Sequence, residues 1–315
     1  MLLVPVRGSL IKQPQCLCDQ SRANQIMEQR RSIKLSIPHP KEQDCHLVGI
    51  LEQVDPIQTT QGRKLALILH GTLGHKDYLF QKTLAQRLPL DSLRFDFRGN
   101  HESGGRWKQG ALHEDLEDLQ AVADYLKAKY GYSIDLVIGH SRGSIAGFRW
   151  LATSEDGRKV SAFVNVSGRY RMEKIVESAA GKLWSEAFAR QGYYEWDVTV
   201  ARKVVRARIT PEDLRSFIEW DTSFVWTDFP QHTDVLCIHG LQDNVVPPYD
   251  ALIYTRALSG RSPGTTTLHF AETADHNFTG QKEEVVDSVL RWWDQRENGT
   301  LKSVGISLAD VKAHL

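Results

Sequence analysis

Short apolar runs along the chain alternate with segments whose apolar residues recur at helical spacing. The run at 64–69 is almost continuously apolar, which predicts a strand buried on both faces, whereas 32–37 alternates as a half-exposed strand does. The same patterns predict further strands at 46–51, 93–97, 134–138, 162–167, 234–239 and 265–270, and helices at 79–88, 112–130, 145–151 and 285–293. Strands that alternate with helices predict the α/β class, with a mostly parallel central sheet flanked by helices.

One interval, 168–231, breaks this alternation. It has helical patterns, no clear strand and many aromatic residues. Inserted segments of this length in compact domains are usually functional, so we expect a helical cap over the site, with additional core helices as the alternative. The predicted division is an N-terminal arm at 1–31, a core at 32–169 and 232–298, a cap at 170–231 and a C-terminal tail at 299–315.

Composition and charge limit the classes of partner. The 315 residues carry 39 basic and 39 acidic side chains, which gives no reason to expect a nucleic acid or an anionic membrane as partner. No apolar run approaches the ~20 residues that cross a bilayer, so no integral membrane span is predicted. Cys16, Cys18, Cys45 and Cys237 lack metal-binding or disulfide spacing, which favours a cytoplasmic location. The basic N-terminal arm makes a mitochondrial location the alternative.

A Gly-x-Ser-x-Gly motif at 139–143 stands between a predicted strand and a predicted helix. A serine on so sharp a turn needs small neighbours, which Gly139 and Gly143 supply. The turn would lift the hydroxyl of Ser141 above the sheet edge, over the free N–H groups of a helix N-terminus. A glycine-rich turn can produce such a motif by chance, but this context predicts that Ser141 is a nucleophile.

A serine hydroxyl attacks efficiently when an adjacent histidine takes its proton and a carboxylate holds that histidine. Asp243 lies in the loop after the predicted strand at 234–239, and His276 lies in the loop after the last predicted strand. Both loops would open at the carboxyl edge of the sheet, on the side of Ser141. We therefore predict Ser141, His276 and Asp243 as a catalytic triad. The alternatives are Asp243 as a helix cap, Asp275 as the acid, and His276 as a surface histidine.

An oxyanion hole needs two backbone N–H groups that point at the developing negative charge. One is expected from Arg142, directly after the serine, and the other from Thr72 in the loop at 70–76. Gly71 and Gly74 would let that loop turn tightly. Since the donors are backbone groups, the side chain of Arg142 is free. We expect it to pair with a nearby carboxylate rather than to bind an acidic group of the substrate.

Several motifs carry a family resemblance. They are His70-Gly71, Asp96-Phe97-Arg98-Gly99 with Ser103 and Gly105, Gly139-His140-Ser141-Arg142-Gly143, Gly240, Asp243, Val246-Pro247 and Asp275-His276. Over about 45–295 the chain resembles the α/β-hydrolase superfamily, in particular the branch of cinnamoyl and feruloyl esterases, monoglyceride lipase-like enzymes and serine aminopeptidase-like proteins. The resemblance implies the α/β-hydrolase fold, the triad Ser141, His276 and Asp243, and an oxyanion hole at Thr72 and Arg142.

The motifs and the resemblance together predict an enzyme. We expect a carboxylic ester hydrolase that acts on a small to medium apolar or aryl substrate and requires no metal or organic cofactor. The same triad would serve a thioester, lactone, amide or carbon–carbon bond, and a catalytically silent ligand-binding scaffold is a further alternative. The expected partner is a small-molecule ester, and the sequence gives no indication of the oligomeric state.

Overall fold

The structure of the protein is a computed structural model that describes residues 30–303. Nearly all of the predicted N-terminal arm at 1–31, with its two cysteines, and most of the predicted tail at 299–315 lie outside the described residues. Cys45 and Cys237 are buried and form no disulfide. Between residues 30 and 303, no helix has the length and apolar character needed to cross a membrane.

The described residues form one large sheet and a separate hairpin. The strands are β1 (Arg31–Pro38), β2 (His46–Gln53), β3 (Lys64–Leu69), β4 (Asp91–Phe95), β5 (Ser133–His140), β6 (Ala162–Val166), β7 (Tyr194–Val200), β8 (Lys203–Ile209), β9 (Asp234–Gly240) and β10 (Thr266–Ala271). Eight of them make a sheet in the order β1-β2-β4-β3-β5-β6-β9-β10, while β7 pairs with β8. Strand β2 is antiparallel to both of its neighbours, and the other pairings of this sheet are parallel.

Helices cover both faces of the sheet. The α-helices of the described residues are α1 (Gln81–Arg87), α2 (Leu112–Tyr130), α3 (Arg142–Thr153), α4 (Ala179–Gln191), α5 (Pro211–Ile218), α6 (Tyr249–Leu258) and α7 (Lys282–Glu297). Apolar side chains of α2, α3 and α6 pack on one face of the sheet, and those of α1 and α7 pack on the other. Successive residues of β3 alternate between the two cores, which explains its continuous apolar run. The predicted α/β architecture, mostly parallel and flanked by helices, is confirmed.

The insertion between β6 and β9 contains more than helices. It holds α4 and α5, as the helical pattern predicts, but also the antiparallel hairpin of β7 and β8, whereas the sequence analysis predicts no strand in this interval. The turn of this hairpin consists of Ala201 and Arg202, so the glycine and asparagine that usually mark a hairpin turn are missing. A hydrophobic cluster joins this insertion to α2 and α3 and contains Leu112, Ile145, Met172, Ile175, Trp184, Ile209 and Phe217.

The last part of the interval belongs to the main core. Phe224 and Phe229 are almost completely buried, and the ring of Phe229 lies 5.5 Å from that of Phe148 on α3. These two aromatic residues therefore belong to the hydrophobic core that α3 forms with the sheet. The part of the insertion that stands over the sheet edge consists of α4, the hairpin and α5.

Candidate active site

The Gly-x-Ser-x-Gly motif forms the turn between β5 and α3. Ser141 has φ 52° and ψ −116°, a left-handed conformation that costs free energy for a residue with a side chain. A Cβ atom at Gly139 would stand 2.5 Å from the backbone nitrogen of Ser144, and one at Gly143 would stand 2.6 Å from the carbonyl oxygen of His70. Both positions therefore require glycine, as the sequence analysis expects of a serine on a sharp turn.

Ser141, His276 and Asp243 form a continuous series of hydrogen bonds. The Oγ of Ser141 lies 3.0 Å from Nε2 of His276, and Nδ1 of His276 lies 2.7 Å from Oδ2 of Asp243. The three residues follow the ends of β5, β10 and β9, which are parallel strands of one sheet, so their loops share one edge. These distances allow His276 to take a proton from Ser141 while Asp243 orients its ring.

The carboxylate of Asp243 has partners on both oxygens. Its Oδ1 accepts hydrogen bonds from the N–H groups of Val245 and Val246, both at 2.8 Å, and its Oδ2 lies 3.1 Å from Nε2 of His239. Burial alone would raise the pKa of Asp243, but the hydrogen bonds with His239 and His276 outweigh it and hold the pKa well below its usual range. The side chain of Asp243 is therefore ionised, and its negative charge can stabilise a protonated His276.

Asp275, the alternative acid in the sequence, makes no hydrogen bond to the imidazole of His276 in the described structure. Its Oδ1 accepts hydrogen bonds from the N–H groups of Asn277 and Thr279, at 3.1 and 2.9 Å. These contacts close the loop that carries His276. The structure thus brings Asp243, and not Asp275, to the imidazole.

Two buried histidines surround the site without contacting the serine hydroxyl. The Nε2 of His140 donates to the carbonyl oxygen of His276 at 2.9 Å. His70 accepts a hydrogen bond from the N–H of Phe97 at 3.0 Å and donates to the carbonyl oxygen of Gly71 at 2.8 Å. Burial lowers the pKa of His70 to about 4 and that of His140 to about 3, so both are neutral at pH 7. They fix the loops of the site by hydrogen bonding.

The predicted oxyanion donors, Thr72 and Arg142, line the same cavity as Ser141. Within the described part of the chain, neither the N–H of Thr72 nor that of Arg142 donates a hydrogen bond to another protein group. The Thr72 loop is anchored by Lys76, whose backbone N–H and Nζ each bond an oxygen of the buried Asp96 at 2.6 Å. Lys76 also bonds Glu102, so its ammonium occupies the place where Asp96, His101 and Glu102 come together.

The side chain of Arg142 points away from the serine and is neutralised. Its Nε donates to Oδ2 of Asp115 at 2.6 Å, and its Nη1 donates to the carbonyl oxygen of Gln109 at 2.6 Å. Burial is the largest influence and raises the pKa of Asp115 above its usual range, although the field of Arg142 opposes this shift. This ion pair agrees with the expectation that Arg142 pairs with a carboxylate, and it ties α3 to α2.

A cavity of about 360 Å³ opens above Ser141 and His276. Its walls come from the Thr72 loop, from α3 and from the insertion over the sheet edge. Most of the lining is apolar, through Leu73, Ile145, Ile175, Ala180, Trp184, Trp196, Val198, Val200, Phe217, Val245 and Val246. The lining also contains Arg169 and Gln109, two buried polar residues that the sequence analysis did not identify because neither belongs to a motif.

Comparisons with known proteins agree with this architecture. A protein of Saccharomyces cerevisiae, YDL057W, is 31% identical to the chain in an alignment of 245 residues, and the match covers 69% of this chain and 69% of the yeast protein. The structure of Est1E from Butyrivibrio proteoclasticus, solved with bound ferulic acid, is 18% identical with a TM-score of 0.62, covering 83% of this chain and 98% of Est1E. The esterase Pf2001 from Pyrococcus furiosus is 18% identical with a TM-score of 0.59, covering 92% and 97%. These likenesses show the fold.

A family model assigns the chain to a protein family. The model described as the prolyl oligopeptidase family, peptidase family S9, matches residues 92–300 and so includes the serine, the acid and the histidine of the site. The matched segment spans more than half of the chain, from β4 to beyond α7. The chain is thus an α/β hydrolase and belongs to the prolyl oligopeptidase family.

Proposed function

We propose that the chain is a serine hydrolase that cleaves a carboxylic ester of a small to medium apolar or aryl substrate through an acyl-enzyme. The observation that carries this proposal is the series of hydrogen bonds from Ser141 through His276 to Asp243, at 3.0 and 2.7 Å, on the wall of an apolar cavity. Nucleophile, base and orienting acid are each within hydrogen-bond reach of the next, which is the geometric requirement for covalent catalysis by serine.

In this proposal the reaction has two halves. The Oγ of Ser141 attacks the acyl carbonyl while His276 takes the hydroxyl proton, and the N–H groups of Thr72 and Arg142 stabilise the oxyanion. His276 then gives the proton to the leaving alcohol, and the acyl group remains on Ser141. Water repeats the sequence on the acyl-enzyme, releases the acid and restores the serine hydroxyl.

The cavity supports the substrate class. Its volume of about 360 Å³ suits a small ligand, and Trp184, Trp196 and Phe217 give it an aromatic wall. Est1E was solved with ferulic acid, an aryl acid, and Pf2001 is called an esterase. Both likenesses are too distant to transfer an activity, but they favour an ester as the first bond to test.

A peptide or other amide bond is the second candidate. The observation that favours it is the match to the prolyl oligopeptidase family, which the family description assigns to peptidases. The same triad would also open a thioester, a lactone or a carbon–carbon bond. Matched 4-nitrophenyl ester, thioester and 4-nitroanilide substrates with one acyl group separate these reactions, because only the leaving group differs.

The test of the proposal is covalent labelling of Ser141 with a fluorophosphonate, measured by intact mass, together with hydrolysis of 4-nitrophenyl butyrate. Wild type is expected to gain one adduct and to turn over the ester. Ser141→Ala is expected to gain none and to lose about 10⁶-fold in kcat, as for loss of other catalytic serines. Ser259→Ala, at a partly exposed serine that follows α6, is the matched control and is expected to keep both properties.

Two outcomes would contradict the proposal. If Ser141→Ala hydrolysed the ester as fast as wild type, the activity would have to come from another site. A folded wild type that neither reacts with the fluorophosphonate nor hydrolyses any substrate of the panel would favour the catalytically silent ligand-binding scaffold.

A further inference from the structure

The lining of the catalytic cavity has an unbalanced charge. Among the described residues that line it, none is an aspartate or glutamate, whereas two are arginines, Arg142 and Arg169. The charge of Arg142 is neutralised by Asp115 at 2.6 Å. The charge that remains on the cavity wall is that of Arg169.

Arg169 is held by two hydrogen bonds, and one nitrogen of its guanidinium has no partner in the described structure. It lies three residues after the end of β6, is 4% exposed, and donates from Nη2 to the carbonyl oxygen of Val245. The hydroxyl of Tyr254 donates to its backbone carbonyl at 2.7 Å, which fixes the main chain. Its Nη1 is buried and has no hydrogen-bond partner within the described part of the chain.

The carboxylates nearest to Arg169 are committed to other groups. Asp250 accepts from Nε of Arg171 at 2.6 Å and from the backbone N–H groups of Tyr170 and Arg171. The carboxylate of Asp243 contacts His276 and His239 and accepts hydrogen bonds from N–H groups of its own loop. Among residues 30–303, no carboxylate oxygen lies within 4.0 Å of the Arg169 guanidinium. Burial accordingly lowers the pKa of Arg169, although Asp250 and Asp243 raise it.

A buried cation without a counter-ion is costly, and so is a buried N–H without an acceptor. Both costs fall if a carboxylate enters the cavity, because a carboxylate supplies the negative charge and the acceptor together. A neutral apolar substrate would supply neither, and a cationic substrate would add repulsion. The remaining walls would still bury an apolar or aromatic body.

We propose that Arg169 is a specificity-determining residue and that the substrate is an apolar ester or amide that carries one carboxylate, bound by the Arg169 guanidinium while the scissile carbonyl lies at Ser141. The inference rests on the proposed function in that it assigns the carboxylate to the substrate of Ser141. The carboxylate takes no part in bond cleavage. It orients the substrate and selects acidic over neutral and basic molecules.

The experiment measures binding in the Ser141→Ala background, where an ester stays intact. Two matched pairs of ligands place the carboxylate on opposite sides of the ester: mono-4-nitrophenyl glutarate against 4-nitrophenyl pentanoate, and 3-carboxyphenyl butyrate against phenyl butyrate. In one pair the carboxylate is expected to tighten Kd by roughly 10-fold to 100-fold, the range of one charge-assisted hydrogen bond. Isothermal titration calorimetry provides Kd for each ligand.

Three variants identify the source of the preference. Arg169→Met keeps the length of the side chain, removes the charge, and is expected to abolish the preference for the carboxylate. Arg169→Lys keeps the charge and is expected to retain part of it, which a merely structural role would not predict. Arg206→Met removes an exposed arginine of the hairpin that pairs with Asp197 and is expected to leave the preference unchanged.

The inference and the proposed function fail in different ways. Equal Kd values within both pairs, or a carboxylate preference that survives in Arg169→Met, would overturn the inference even if wild type hydrolyses the neutral esters. An Arg169-dependent preference in Ser141→Ala, combined with no hydrolysis of any of the four esters by wild type, would overturn the proposed function and leave the carboxylate site standing.

Discussion

Two aspartates are candidates for the acid that orients His276, and their surroundings distinguish them. Asp243 is buried, accepts hydrogen bonds from two backbone N–H groups and bonds Nδ1 of His276 at 2.7 Å. Asp275 is adjacent in sequence but bonds only N–H groups of its own loop. Sequence proximity is a poor guide to a catalytic hydrogen bond, because consecutive side chains in a tight loop seldom face each other.

The pair Asp243→Asn and Asp275→Asn tests this difference. Asp243→Asn keeps the size of the side chain but removes the charge and offers an N–H to His276. If the proposed function holds, kcat should fall by about 10⁴-fold, as it does when a Ser-His-Asp triad loses this charge. Asp275→Asn keeps an acceptor for its loop, and kcat should stay close to that of wild type. Steady-state hydrolysis of 4-nitrophenyl butyrate measures both. A larger loss of kcat in Asp275→Asn than in Asp243→Asn would show that Asp275, and not Asp243, is the acid.

The sequence was most informative about residues whose role depends on a motif. A Cβ atom at position 139 or 143 would lie only 2.5 or 2.6 Å from a backbone atom, so both positions require glycine. This requirement is visible in the sequence as the Gly-x-Ser-x-Gly motif. Arg169 shows the opposite case. What singles it out is the absence of a partner for a buried N–H, and partners across a fold are visible only in three dimensions.

The hairpin of β7 and β8 is a secondary-structure element that the sequence analysis did not predict. Residues 194–200 alternate apolar and polar side chains, which is a strand signal that the sequence analysis missed among the aromatic residues of the interval. The turn adds to the difficulty. Ala201 and Arg202 have φ values of 46° and 69°, where asparagine and glycine are the usual residues.

This turn predicts a stabilising substitution. Glycine adopts a left-handed φ without the clash of a Cβ atom, so Arg202→Gly is expected to raise the free energy of opening of the hairpin by about 1 kcal/mol relative to Arg202→Ala. Arg202→Ala is the matched control, since it removes the same exposed side chain and keeps the Cβ atom. Hydrogen exchange of the β7 and β8 amides measures the local opening. Equal protection in the two variants would mean that the turn stores no strain.

At the scale of the whole molecule, the sheet explains why so much of the site was predictable. Parallel strands buried on both faces give continuous apolar runs, and the loops that follow them must open at one edge. Ser141, Asp243 and His276 each follow a parallel strand of this sheet, so the strand order brings their loops to the same edge. The shape and charge of the cavity above them depend on the insertion between β6 and β9. Its packing has no comparable periodic signal.

The same buried arrangement makes the stability of the molecule depend on pH. His70 and His140 have pKa values of about 4 and about 3 in the folded protein because they are buried, against about 6.5 in an unfolded chain. Below pH 6.5 the unfolded state therefore binds protons that the folded state does not. The stability that these neutral histidines contribute is complete above pH 6.5. It is lost as the pH falls towards 4 and 3, at up to about 1.4 kcal/mol per pH unit for each histidine.

The variant His140→Gln isolates one of these contributions. Glutamine does not titrate and can still donate to the carbonyl oxygen of His276, so the unfolding free energy should fall less between pH 7 and pH 4 than in wild type. Urea denaturation at several pH values measures the slope. His46→Gln, at an exposed histidine of β2, is the control and should retain the wild-type slope. If His140→Gln retained it as well, His140 would have to take up its proton in the folded protein at the same pH as in the unfolded chain. Protonation there would place a positive charge beside His276 and oppose formation of the imidazolium that the proposed reaction requires.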